Sequence, residues 1–71
     1  MKYTVVIEEG ETSFGAFVPD LPGCIAAAET REEVLVLIKE AIEFHIEGMI
    51  KDGAEVPEPH CDFTTIEVSA A

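Results

Sequence analysis

Residues 14–30, FGAFVPDLPGCIAAAET, decide how this chain folds. Their first part completes a strand over 13–18, with Phe14, Ala16 and Val18 on one face and Gly15 and Phe17 on the other. Pro19 ends that strand, because proline has no N–H to give to a ladder. Pro22-Gly23 supplies a turn. Residues 24–29, CIAAAE, then make a third strand of small side chains. Thr30 opens a helix. With Glu33 it forms a capping box, in which the hydroxyl accepts from an orphan amide and the carboxylate reaches back. Glu29, Glu32 and Glu33 also stand at the positive end of the helix dipole.

Upstream, residues 2–8, KYTVVIE, alternate with a period of two and put Tyr3, Val5 and Ile7 on one face. Glu9-Gly10-Glu11-Thr12 is a turn in which Gly10 can take positive φ. Downstream, Val34, Leu37, Ile38, Ala41, Ile42, His45 and Met49 share a broad helix face. Glu40, Glu43 and Glu47 lie opposite. Lys51-Asp52-Gly53 closes the helix, with a basic residue at its carbonyl end and a glycine suited to the left-handed cap. Pro57 and Pro59 hold residues 54–62 extended, and 63–68, FTTIEV, reads as a fourth strand.

The order is β-β-β-α-β. In a meander the third strand runs parallel to the first, and a right-handed crossover returns the fourth parallel to the third. The free edge beside the first strand is its natural place. The expected fold is therefore α+β, a mixed four-stranded sheet with one helix on one face. One helix covers only one face, yet Val6 and Phe17 oppose Tyr3, Val5 and Phe14. A homodimer or a partner protein is expected to cover the second face.

The 71 residues make a single domain, 1–71. Four Lys and Arg against 15 Asp and Glu give a net charge of -11. Such a field disfavours direct nucleic-acid binding and favours a basic partner. Met1-Lys2-Tyr3 leads straight into the strand pattern with no secretory signal, and no apolar run approaches membrane-spanning length. A cytoplasmic protein with reduced Cys24 and Cys61 is expected.

The unbroken run Pro19, Asp20, Leu21, Pro22, Gly23 and Cys24, with Thr30, Glu32 and Glu33 following it, resembles the HicB family of antitoxins. So does Gly53-Ala54-Glu55-Val56-Pro57-Glu58-Pro59 after the helix, and the likeness covers nearly the whole chain. The resemblance implies a partial ribonuclease-H-like fold. It also implies an antitoxin, not an enzyme, that neutralises a small basic RNA-cleaving toxin of the HicA type without a cofactor. Many members of the family carry a C-terminal DNA-binding domain. This sequence stops at Ala71 without one, so autorepression by this chain is not expected.

The turn Pro19, Asp20, Leu21, Pro22, Gly23 reads as structural, with Asp20 accepting local backbone hydrogen bonds. Its alternative role is contact with a basic partner, together with the surface row Glu40, Glu43 and Glu47. Two other readings stay open: a minimal metal-dependent nuclease and a solitary dimeric adaptor without a toxin. The nuclease needs carboxylates converging on cations about 4 Å apart. Glu8, Asp20 and Glu40 approximate that set and are not expected to converge. His45 is expected at the core boundary, with a ligand or interface switch as its sharper alternative. His60-Cys61 with Cys24 matches no zinc signature. No catalytic, metal or cofactor residue is expected.

Overall fold

A computed structural model describes residues 1–70. Three strands, β1 (Val6–Glu9), β2 (Phe14–Phe17) and β3 (Ile25–Ala28), precede one helix, α1 (Arg31–Lys51). The strands form an antiparallel sheet in the order β1-β2-β3. Its register aligns Ile7, Ala16 and Ala26 on one face and Val6, Phe17 and Ile25 on the other. The helix packs on β2 and β3 over the first face.

The hairpin closes with Gly10 N–H donating to Ser13 O at 2.8 Å. Gly10, free to take positive φ, does not use that freedom; among the described residues Gly23 (+84°) and Gly53 (+74°) do. Between β2 and β3 the chain makes two successive β-turns. Leu21 N–H donates to Val18 O, and Cys24 N–H donates to Leu21 O. The first has Pro19 and Asp20 at its centre, neither at positive φ, as a type I turn requires. The second has Pro22 then Gly23 at positive φ, a type II turn. Val18 N–H to Cys24 O closes the pair at 3.1 Å.

Leu21 sits at the junction of the two turns, and its side chain is driven inward. It is wholly buried, and joins Ala16, Val18, Cys24, Val34 and Ile38 in the core. The small residues of β3 let the helix approach closely, Ala26 and Ala28 lying half-buried against that core. The helix stripe is narrower than the periodicity suggests. Val34 and Ile38 are buried and Ala41, Ile42 and Ile46 flank them, while Leu37 is exposed. The helix meets only two strands, so a single i, i+4 row is covered.

The Thr30 hydroxyl accepts from the Glu33 amide at 3.1 Å, as the capping box expects. The return leg differs: the Thr30 hydroxyl donates a hydrogen bond to the Glu33 carboxylate at 3.1 Å. At the other end, Gly53 N–H reaches Ile50 O and Ala54 N–H reaches Met49 O, which is the Schellman arrangement.

The fourth strand is the main correction. Residues 54–70 carry no regular secondary structure, so the sheet is three-stranded and antiparallel rather than four-stranded and mixed. The chain does return beside the first strand's lead-in. There the Tyr3 hydroxyl donates to Pro57 O at 2.6 Å and the Thr4 hydroxyl to Cys61 O at 2.8 Å. These are side-chain bonds, not a ladder, and Pro57 and Pro59 have no amides to build one. Beyond them Phe63, Ile66 and Val68 are each more than three-quarters exposed, with no surface to bury against. The radius of gyration, 14.3 Å, exceeds the roughly 11 Å of a compact chain of this length.

Candidate functional site

Asp20 sits at the centre of the first turn, which holds its side chain inward, and only 4 % of the residue is exposed. A buried carboxylate must be paired or hydrogen-bonded. Its partners are not local, as the sequence suggests, but forty residues away. The amides of His60 and Cys61 both donate to Oδ2 at 3.1 Å. The turn's own amides are spent on Val18 and Leu21 carbonyls, so the carboxylate is free for a distant segment.

On its other side, Asp20 Oδ1 stands 2.7 Å from His60 Nδ1. That contact lacks hydrogen-bond orientation, and Oδ1 has no other partner. Burial pushes the Asp20 carboxyl up, but the Cys61 thiol, the two amides and the His60 ring outweigh it and hold the group below the ordinary carboxylate value. The same contact raises the Cys61 thiol, because its proton is shared with a carboxylate and its thiolate would face a negative charge. Cys24 is raised by burial alone. Among the described residues, Asp20, His60 and Cys61 are brought together with ligand atoms within 4.8 Å of one another.

Cys24 lies in the core and takes no part in that cluster. Glu8, at the exposed end of β1, and Glu40, exposed on the helix, do not join Asp20. The nuclease-like trio is not assembled among the described residues. His45 is half-buried, at the core boundary. Glu40, Glu43 and Glu47 are all exposed on α1, whereas Asp20 is buried.

The sheet's second face is open. Val6, Phe17 and Ile25 form a cross-strand apolar row, and Ile25 is 70 % exposed. No helix of the described residues is long and apolar enough to cross a membrane.

The model of the HicB-like antitoxin of bacterial toxin-antitoxin systems matches residues 3–68. The chain belongs to the HicB-like antitoxin family. Within it, a UPF0150 protein of Thermoplasma acidophilum is 39 % identical over 67 residues, covering 93 % of this chain and 97 % of its own length. An uncharacterized 14.9 kDa protein of Haemophilus phage HP1 is 45 % identical over 58 residues, 82 % of this chain but 44 % of that protein. Antitoxin HicB 2 of Photorhabdus laumondii is 32 % identical, over 83 % of this chain and 42 % of its own length. This HicB-like chain thus spans under half of those two longer relatives. A chain of a HicA3 and HicB3 toxin-antitoxin complex matches it with a TM-score of 0.72 at 30 % identity, over 84 % of this chain and 70 % of that one.

The sequence-legible features of this HicB-like chain are its turn, its cap and its acidic helix. The His60–Cys61 grip on Asp20 is not legible, because residues forty positions apart carry no spacing signal. The one available hint is an aspartate between two prolines, in a turn whose hydrogen bonds need no carboxylate.

Proposed function

We propose that this chain is an antitoxin that binds a small basic RNA-cleaving toxin of the HicA type and neutralises it by covering its working surface, without catalysis of its own. The observation that carries the reading is the likeness to a chain of a toxin-antitoxin complex over 84 % of the length. Charge supports it: at -11 the chain attracts a basic protein at long range and repels phosphate backbones. The exposed row Glu40, Glu43 and Glu47 on α1 is the surface proposed to meet the toxin.

The apolar row Val6, Phe17 and Ile25 and the exposed Phe63, Ile66 and Val68 call for cover. A homodimer in the cytoplasm is part of the proposal. So is pairing of residues 63–68 as a fourth strand on assembly, which would supply the ribonuclease-H-like outline that the isolated chain lacks. Co-expression with the product of the adjacent gene is the test. The expected result is a co-purifying complex and restored growth of cells expressing the toxin. A folded chain that neither binds nor protects against a basic RNA-cleaving neighbour refutes the reading.

A further inference from the structure

We propose that Asp20, His60 and Cys61 form a binding site for a single zinc-class divalent ion, which ties the segment after the helix to the β2–β3 turn. The three offer one oxygen, one nitrogen and one sulfur, all within 4.8 Å of one another. Mixed donors of this kind suit zinc and its neighbours rather than calcium or magnesium, which prefer oxygen alone.

A second observation comes from the carboxylate. Asp20 Oδ1 is buried with no well-oriented hydrogen bond, and the two groups set against this carboxylate are the His60 ring and the Cys61 thiol. His60 Nδ1 lies 2.7 Å away but is not directed along the contact. Oδ2 is meanwhile fixed by two backbone amides. Outer hydrogen bonds of that type orient a ligating carboxylate and leave its other oxygen for the metal.

The donor atoms must shift to surround an ion, the Cys61 sulfur closing in from any separation, up to 4.8 Å, that exceeds the tetrahedral spacing. Around a tetrahedral ion with bonds of about 2.0–2.3 Å, ligand atoms stand roughly 3.3–3.8 Å apart. The His60–Asp20 pair must therefore open by about 0.7 Å. The His60 side chain is 78 % exposed and can move without disturbing the core. The same exposure leaves a fourth position for water. On binding, the Cys61 sulfur loses its proton to solvent and the thiolate becomes the ligand.

Cobalt titration of the full chain under reducing conditions tests this, with Co²⁺ and then Zn²⁺ as the probes. One equivalent of Co²⁺ should raise a thiolate-to-cobalt charge-transfer band that Zn²⁺ abolishes. Cys61→Ser should remove the band, and His60→Ala should weaken binding by roughly tenfold or more, the least that loss of a supporting group costs. Both variants keep the amides that hold Asp20, so far-UV circular dichroism should match the parent. Cys24→Ser should retain the band. A band that survives Cys61→Ser, or its absence at saturating Co²⁺ in the folded parent, overturns the proposal. The readout involves no toxin, so its failure would leave the antitoxin reading intact.

Discussion

Replacing Leu21 by alanine should cost about 3 kcal/mol of folding stability. The side chain is wholly buried, so the three carbons removed forfeit roughly 2.4 kcal/mol of transfer energy at about 0.8 kcal/mol each. A cavity term adds to this wherever the surroundings cannot collapse, and measured Leu→Ala losses run from about 2 to 5 kcal/mol. Collapse is restricted here, since Leu21 N–H and Leu21 O are each pinned in a different turn. A domain of 71 residues is stable by only about 4–11 kcal/mol. The loss is therefore a large fraction of the whole. Urea unfolding followed by far-UV circular dichroism, at fixed protein concentration, measures it. With a slope near 1 kcal/mol per molar, the midpoint should fall by about 3 M. In a thermal scan the Tm should drop by roughly 12–24 °C. Leu21→Met, which keeps volume, should lose less than about 1.5 kcal/mol. A Leu21→Ala loss below about 1 kcal/mol, well under the usual range for a buried leucine, would refute the claim that this residue anchors the turn in the core.

Gly23→Ala should cost about 1–2 kcal/mol by the same assay, since φ is +84° and a new Cβ meets nothing within 4 Å, leaving backbone strain as the whole effect. Thr30→Ala should lose about 1 kcal/mol with its cap to the Glu33 amide, seen as a lower urea midpoint. Phe63→Ala should change the stability of the isolated chain by less than about 0.5 kcal/mol. Changing Glu40, Glu43 and Glu47 to glutamine should slow association with a basic toxin and flatten its salt dependence in stopped-flow measurements, while far-UV circular dichroism stays unchanged.

Local signals account for what the sequence discloses. Proline at 19 and 22 with glycine at 23 imposes its two turns on any backbone that carries it, and Thr30 with Glu33 marks the helix start. Two-residue alternation put Phe14, Ala16 and Val18 on one face, and all three pack at or against the core. The failures are those of tertiary context. Phe63 to Val68 alternate like a strand, but alternation states only that one face could be buried. Among the described residues these side chains stay exposed rather than joining the sheet. Leu37 satisfies the helix periodicity and is nevertheless exposed, because among the described strands only β2 and β3 pack on the helix. For the candidate site, the acidic row of α1 was legible because helical spacing alone places it. The turn motif suggests local acceptors for Asp20, whereas its carboxylate accepts from His60 and Cys61. His60 and Cys61 reach it only because the chain after the helix doubles back.

That return fixes where the last segment leaves the body of the molecule. With Cys61 moored to the turn, residues 62–70 have one set origin and a reach of about 30 Å at full extension. Phe63, Ile66 and Val68 therefore stay within that distance of the turn. For a partner already docked on the helix, their local concentration is set by that mooring point and would fall if it were cut.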